Sequence, residues 1–274
     1  MSLGVNTNVG AMVALQNLSK TNKELETVQS RINTGLAVAS AKDNGGIYAI
    51  AQAMRGDVGA YNAVNQSLGR AKSVVDVALA AGESVSDLLV QMKEKTLAAS
   101  DASLDTASRD ALNEDFVALR KQIDSIVSNA SFNGVNLINT GTGFQSIASA
   151  DGSSKISVNA ENLSLSGTVV TLSSTSTIST LTKASTMLST INTSLANTNK
   201  ALARLGSVSK RLDTQMEFTT KVQDALKAGI GNLVDADLSV ESARLQALQV
   251  KQQLGVQALS IANSAPQSVL GLFR

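Results

Sequence analysis

The two ends of this chain carry no charged side chain, and this feature constrains the fold more than any other. Asp, Glu, Lys and Arg are absent from residues 1–19 and 252–273, although they make up 16% of the whole sequence. The ends of a chain are normally polar and solvated. Uncharged ends rich in apolar side chains would adhere to one another in water, so we expect them to be buried against other protein.

The composition favours long helices packed along seams over a compact aromatic core. The 274 residues include no Trp, two Tyr and five Phe, against a hydrophobic content of 43%. The only proline is Pro266, and long helices tolerate few prolines. A net charge of +1 gives no electrostatic reason to expect nucleic acid or an anionic membrane as a partner.

The absence of cysteine and histidine narrows the chemistry open to this chain. It excludes disulfides, thiol nucleophiles, imidazole bases and the usual zinc sites, so we expect no enzyme activity, no cofactor and no metal. A hydrolase that uses Asp and Glu alone is the alternative. However, Asp235 and Asp237 lie at an expected helix start, where acidic side chains cap the helix. The first residues lack the pattern of a secretory signal peptide, and polar residues interrupt both ends too often for a membrane span.

Apolar periodicity predicts a mainly α fold with a small β insert. A helix stop is expected at Thr34-Gly35, an N-cap at Thr106, and a tight hairpin turn at Asn133-Gly134. Alternation of Ser or Thr with apolar residues over 144–182 predicts a few short strands. The expected helices are long and antiparallel, and cover about 5–34, 48–99, 106–129, 187–233 and 237–263.

This layout predicts two domains. Residues 1–44 and 236–274 are expected to form a discontinuous terminal domain in which the N- and C-terminal helices pair as a coiled coil. Residues 45–235 are expected to form a helical rod domain. Its tip is the Ser/Thr-rich β region at about 132–182, which contains a short central hairpin.

Each terminal helix is apolar on more than one face, whereas a helix wetted on one side needs a single apolar stripe. Pairing the two helices buries one stripe of each, and an intramolecular bundle alone is the alternative. We expect other copies of the chain to cover the second stripe, and the ends to become ordered only when copies bury them together. The predicted packing and interface residues are Val5, Val9, Met12, Leu15, Leu18, Leu25, Val28, Ile32, Leu238, Leu245, Leu248, Leu254, Leu259, Ile261, Val269, Leu270, Leu272 and Phe273.

Several motifs, in the same order along the chain, resemble those of bacterial flagellins. The resemblance covers about residues 3–140 and 195–274, and the short centre is similar to that of alphaproteobacterial members. Departures from the usual pattern include Asn44-Gly45-Gly46 and the alanines at 37 and 39. The matching motifs are Val5-Asn6-Thr7-Asn8, Arg31-Ile32-Asn33-Thr34-Gly35-Leu36, Ser40-Ala41-Lys42-Asp43, Phe132-Asn133-Gly134, Arg204-Leu205-Gly206, Asp235-Ala236-Asp237 and Leu272-Phe273-Arg274.

The resemblance implies a structural subunit that polymerises with itself and with sibling flagellins into the extracellular flagellar filament, a helical propeller for swimming. A hook–filament junction protein with the same terminal helices is the alternative. The resemblance also implies unfolded export through the flagellar type III apparatus and an export chaperone on the C-terminal helix. Hook-associated and cap proteins are the other implied partners, with no nucleic acid and no membrane.

The resemblance further implies O-glycosylation of the Ser/Thr-rich centre, since flagellins of this kind are often modified on exposed hydroxyls. A merely polar, solvated surface is the alternative. The candidate hydroxyls are those of Ser164, Ser166, Thr168, Thr171, Ser173, Ser174, Thr175, Ser176 and Thr177.

Overall fold

The computed structural model describes residues 7–270, with side chains described as far as Ser264. In this range the chain is mainly α-helical with one small antiparallel sheet, as the sequence predicts. The predicted interface residues Val5, Leu272 and Phe273 lie outside the described residues, as do the side chains of Val269 and Leu270. The elements are α1 (Val9–Thr34), α2 (Gly45–Ala99), α3 (Thr106–Asn129), β1 (Phe144–Ile147), β2 (Lys155–Val158), α4 (Leu181–Val234) and α5 (Leu238–Leu270).

Capping side chains explain where α1 and α3 begin and end. The Asn8 side chain accepts a hydrogen bond from the Ala11 amide at 3.0 Å, and α1 ends at Gly35, whose φ of 70° is left-handed. The stop predicted at Gly35 is therefore confirmed. The N-cap predicted at Thr106 is wrong by one residue, because the Asp105 carboxylate accepts from the Ser108 amide at 3.1 Å and Thr106 is the first helical residue.

Three helix ends differ from the sequence expectation. Helix α2 begins at Gly45, inside the expected turn, because the Asn44 side chain accepts from the Ile47 amide at 3.1 Å. Helix α4 begins at Leu181 rather than near residue 187, and the Thr180 hydroxyl accepts from the amide of Lys183 at 3.3 Å. Helix α5 continues through the proline to Leu270, since a proline removes one amide of the helical ladder without forbidding the turn that follows.

The chain divides into two compact units. The first contains the two ends, up to Gly56 and from Ala225 onward, and therefore holds α1, α5 and the adjoining turns of α2 and α4. The second is the continuous segment Asp57–Asp224. These limits fall inside α2 and α4, whereas the predicted domain limits fall at the helix joints. The functional division into a terminal domain and a rod domain stays a prediction.

The second unit has an aliphatic core built by α2, α3 and α4. Leu68 and Leu89 of α2, Phe116 and Ile123 of α3, and Ile191 of α4 are fully buried. The short insert between α3 and α4 packs on the same core, and buries Ile156 and Val158 of β2, with the intervening Ser157 exposed. This alternation is typical of a sheet with one wet face.

The insert contains fewer strands than predicted. Strands β1 and β2 pair antiparallel, with Phe144 opposite Val158 and Ile147 opposite Lys155. Residues 159–180, where the sequence predicts further strands, form turns and irregular backbone instead. Leu163, Leu172 and Ile178 are fully buried, but the adjacent Val169 and Val170 are buried as well, so burial does not alternate along the segment. The segment forms no ladder with β1 or β2.

The hairpin turn predicted from Asn133-Gly134 is confirmed. The amides of Phe132 and Val135 donate to each other's carbonyls at 2.9 and 3.0 Å. Both central residues have positive φ, 50° at Asn133 and 79° at Gly134, which is the geometry of a type I′ turn.

Candidate subunit interface on the terminal helices

Helices α1 and α5 pack antiparallel within the first unit, as the sequence predicts. Near the start of α1 the Asn8 side-chain amide donates to the Ala262 carbonyl at 2.7 Å. Near its end, Arg31 Nη1 donates to Glu241 Oε1 at 3.0 Å. The beginning of α1 therefore lies beside the last described turns of α5, and the end of α1 lies beside the start of α5.

The inner face of this pair is the set of side chains through which the two helices contact each other. Val28 of α1 and Leu248 of α5 are buried, and Gly255 lets α1 approach, because a Cβ there would lie 3.3 Å from Leu18 Cδ1. The other predicted residues on this face, all half-buried, are Leu18, Leu25, Ile32, Leu245 and Leu259.

The spacing of Leu238 groups it with the inner stripe, but its side chain is 49% exposed. The antiparallel register explains the difference. Glu241 already lies opposite Arg31, so Leu238 lies opposite Thr34, where α1 ends. No helical turn remains there to cover the leucine.

The outer apolar face, by contrast, is open to solvent in the single chain. On α1 it consists of Val9, Met12, Val13 and Leu15, with Leu15 57% exposed. On α5 Leu254 is 60% exposed and Ile261 is 66% exposed, and the face consists of Ala247, Val250, Leu254, Ala258 and Ile261. The structure therefore separates the predicted residues into those that hold α1 to α5 and those left available for another partner.

Helix α5 also has a third face, which is polar and uncharged. Its members follow the three- and four-residue spacing of one helical stripe, and all are exposed: Gln246, Gln249, Gln253, Gln257 and Ser260. The inner, outer and polar faces point in three different directions around the helix. None of the three carries a charge between Gln252 and Ser264.

Four exposed valines in these helices are absent from the predicted interface: Val13, Val240, Val250 and Val256 are each at least half exposed. Val13 and Val250 belong to the outer apolar face defined above. A sequence signal exists for Val13 and Val256, because both lie inside the uncharged stretches.

The joint between α1 and α2 is tied to the joint between α4 and α5. The Ala37 amide donates to the Val234 carbonyl at 2.7 Å, and the Ala236 amide donates to the Gly35 carbonyl at 2.9 Å. Val38, Ala51 and Val234 form a small buried cluster beneath these bonds. The joint is thus a packed part of the unit.

Two acidic side chains near this joint accept hydrogen bonds from nearby backbone amides. Backbone and side-chain hydrogen bonds from Ser40 lower the pKa of Asp43, and Arg31 lowers it further through its positive charge. The Asp237 carboxylate accepts from the amides of Ser239 at 2.9 Å and Val240 at 3.2 Å, so the predicted cap of the last helix is confirmed for Asp237. Asp235 pairs through its backbone with Leu36.

The candidate glycosylation hydroxyls lie in the irregular part of the insert. The side chains of Ser164, Ser176 and Thr177 are half-buried, and Thr171 Oγ1 shares a hydrogen bond of 3.1 Å with Ser194 Oγ. The exposed candidates are Ser166, Thr168, Thr171, Ser173, Ser174 and Thr175.

The described residues offer no arrangement typical of a metal centre or a membrane anchor. Within residues 7–270, acidic side chains nowhere gather in groups of three or more that could hold a metal ion. In the same range, every helix is too short or too polar to span a bilayer.

Comparison with known protein families identifies both the N-terminal half and the C-terminal third of the chain. Residues 5–142 match the bacterial flagellin N-terminal helical region, and residues 188–273 match the bacterial flagellin C-terminal helical region. Among curated relatives, the chain is 55% identical to flagellin FljK of Caulobacter vibrioides over 98% of both chains. It is 38% identical to a flagellin of Brucella melitensis, again over 98% of both.

Solved structures share the fold at lower identity. A flagellin crystal structure from Bacillus cereus is similar at a TM-score of 0.50 and 21% identity, over 56% of this chain and 88% of that one. A putative flagellar hook-associated protein from Vibrio parahaemolyticus is similar at 0.57 and 14% identity, over 70% of this chain and all of that one. The second likeness concerns the fold alone and does not favour a junction protein. The chain belongs to the bacterial flagellin family, as an alphaproteobacterial-type structural subunit, not an enzyme, that polymerises into the extracellular flagellar filament.

Proposed function

We propose that copies of this chain pack against one another through the outer apolar faces of α1 and α5. One observation carries the proposal: these faces stay exposed after α1 and α5 have paired, with Leu254 60% and Ile261 66% accessible. Full burial of one large aliphatic side chain contributes about 1.5–3 kcal/mol. A polymer that buries both faces in every copy therefore gains a driving force that the single chain lacks.

The missing charges follow from this arrangement. In a wall of packed helices, a charged side chain on the outer face would lose its hydration without gaining a partner, in every copy of the polymer. The uncharged stretches end at Lys20 and Lys251, and the outer apolar face lies mostly between those lysines and the chain ends. Charged side chains are therefore disfavoured only in the part of the helices that other chains cover on several sides.

The polar face of α5 has a different role in this proposal. Glutamine and serine side chains remain hydrated, so this face is suited to line a water-filled channel along the axis of the filament. An uncharged lining would let an unfolded chain pass without forming ion pairs with the wall. In the proposed export route, each new subunit travels unfolded through the flagellar type III apparatus and this channel to the growing end.

The same exposed surfaces require protection before assembly. We therefore include an export chaperone that covers the outer apolar face of α5, and hook-associated and cap proteins that contact the terminal helices at the two ends of the filament. Membership of the flagellin family supports these partners, and the exposure of Leu254 and Ile261 gives the physical reason why a chaperone is needed.

Two adjacent positions on α5 test the interface. Leu254 lies on the outer apolar face and Gln253 lies on the polar face, and both are exposed. We expect Leu254→Asp to raise the critical concentration for filament growth about a hundredfold or more, because the new charge is buried in each contact. Gln253→Asp introduces the same charge one residue away, and we expect it to leave growth nearly unchanged.

The measurement is sedimentation of purified protein combined with negative-stain electron microscopy. Circular dichroism provides the control, since both variants should keep the helical content of the parent. Long filaments from Leu254→Asp at parental concentrations would refute the proposed interface.

We also propose O-glycosylation at the exposed hydroxyls of the insert. Their position in an irregular surface segment supports access by a transferase, and the alternative is a plain solvated surface. An intact mass for filament protein above the 28.3 kDa of the unmodified chain is the expected result. A mass equal to that of the bare polypeptide would exclude the modification.

A further inference from the structure

The seam between α1 and α5 repeats every seven residues on both helices. Leu18, Leu25 and Ile32 are seven apart on α1, and Leu245 and Leu259 lie on the same repeat of α5 with Gln252 between them. A heptad seam buries nearly the same apolar groups after one helix slides by seven residues. The heptad repeat by itself therefore does not determine which residues lie opposite each other.

A charged pair crosses this seam near the end of α1. Glu241 is only 7% exposed, and its Oε1 accepts from Arg31 Nη1 at 3.0 Å, with Arg244 Nη1 at 4.0 Å. A neutral pair lies farther along the seam, where Gln252 Nε2 donates to Asn22 Oδ1 at 2.8 Å. These polar contacts are specific to one register.

A contribution to folding stability does not account well for the Arg31–Glu241 pair. Arg31 Nε and Glu241 Oε2 are both buried without a hydrogen-bond partner. A buried ion pair with unsatisfied atoms is often no more stable than apolar side chains of similar size in the same place. Such pairs are better known for specifying register in helical seams.

Sliding the helices by seven residues would break the Arg31–Glu241 pair at a large cost in free energy. In one direction Glu24 comes opposite Glu241, which brings two acids together in the seam. In the other direction Arg31 comes opposite the buried Leu248. In both, the Glu241 carboxylate loses Arg31. In the first direction α1 still covers Glu241, and breaking a buried pair in this way is strongly destabilising.

We propose that the Arg31–Glu241 pair acts with the hydrogen-bonded joint between residues 35–38 and 234–236 to fix the register of α1 against α5. The register in turn determines which apolar side chains form the outer face. The neutral Asn22–Gln252 pair assists the charged pair with a weaker preference, because an uncharged hydrogen bond costs less to break. This inference concerns contacts within one chain, and it stands whether or not the outer face is the subunit interface.

Cysteine pairs can report the register, because the chain has no cysteine of its own. A Cβ at Gly255 would lie 3.9 Å from Leu18 Cβ, inside the range of about 3.5–4.5 Å that a disulfide requires. Leu18→Cys with Gly255→Cys therefore reports the observed register. Leu18→Cys with Ala262→Cys, or with Leu248→Cys, reports a slip of seven residues in either direction.

The test variant replaces the charged pair by Arg31→Leu together with Glu241→Leu, which keeps the seam apolar. Full-length chains are oxidised both in solution and in filaments, and intrachain cross-links are identified by non-reducing electrophoresis and peptide mass. With the native charges, the observed-register pair alone should cross-link. In the leucine variant, at least one slipped pair should cross-link about tenfold more than with the native charges. Absence of a slipped cross-link in this variant, with or without the observed-register one, would overturn the proposal.

Two controls separate register from general stability. Asn22→Leu with Gln252→Leu removes the neutral pair and should leave the observed-register cross-link dominant, because the charged pair remains. Exchange of the charges, Arg31→Glu with Glu241→Arg, keeps an opposite-charge pair in the observed register. A slip in one direction also brings Glu24 opposite the new arginine, so we expect only the other slipped pair, Leu18→Cys with Ala262→Cys, to stay without a cross-link. A cross-link of that Ala262→Cys pair in the charge-exchange variant would contradict the role assigned to the charged pair.

Discussion

At the scale of single residues, a few backbone conformations and close approaches decide the local geometry. The Asn133-Gly134 turn has positive φ at both positions, and a Cβ added to Gly134 would meet no atom within 4 Å. Its requirement for glycine therefore comes from the backbone conformation of the turn and not from crowding by neighbouring side chains. Gly69 in α2 is also surrounded by open space, but its φ is not positive.

These two glycines give a matched prediction. Gly134→Ala should lower the free energy of unfolding of the Asp57–Asp224 unit by about 1–2 kcal/mol, because a Cβ is strained in the left-handed region. Gly69→Ala should instead raise it by about 0.5–1 kcal/mol, because alanine is the better helix former. Urea unfolding followed by circular dichroism measures both. Equal effects of the two substitutions would show that the turn does not hold the conformation described.

Sequence patterns predict residues whose role is local better than residues whose role depends on the partner helix. Gly35 and Asn133-Gly134 are predictable because helix stops and tight turns are determined by adjacent residues. Asp105 is missed as a cap because Asp and Thr both suit that position and stand next to each other. Leu238 is misplaced because its exposure depends on where α1 ends on the other side of the seam.

At the scale of elements, the helices are largely predictable because apolar residues recur at helical spacing over many turns. The strands are harder, because Ser/Thr–apolar alternation records which side chains point inward and not whether another strand lies alongside. Residues 159–180 bury Leu163, Leu172 and Ile178, but they form no ladder. The antiparallel register of α1 and α5 is likewise beyond the pattern, because the seam repeats every seven residues.

Helix α5 presents a different face to each of three environments. Its inner face contacts α1, its outer apolar face is available to another copy, and its polar face is suited to water. The sequence reveals the two apolar stripes and the absence of charge. The polar face of α5 can be recognised as a separate solvated stripe only when the exposed positions of the helix are known.

At the scale of the whole molecule, the uncharged ends come together in one unit, and a separate unit carries the aliphatic core and the insert. Membership of the flagellin family explains why such ends are useful, since the subunit must polymerise. The expectation that the ends become ordered only on assembly stays a prediction, as does the functional boundary between the two domains. Ordering of the ends and polymerisation are both expected to depend on the outer apolar face.

The most direct test of this account compares thiol accessibility in the soluble chain and in the filament. The Leu254→Cys variant places one thiol on the outer apolar face of a chain that has no other, and Ser174→Cys places one on the exposed insert as a control. We expect maleimide to label the Leu254→Cys thiol readily in solution and at least about tenfold more slowly in filaments, because the site opens only by local dissociation. The Ser174→Cys thiol should react in both states. Equal labelling of the Leu254→Cys thiol in soluble and filamentous protein would contradict the claim that copies pack through this face.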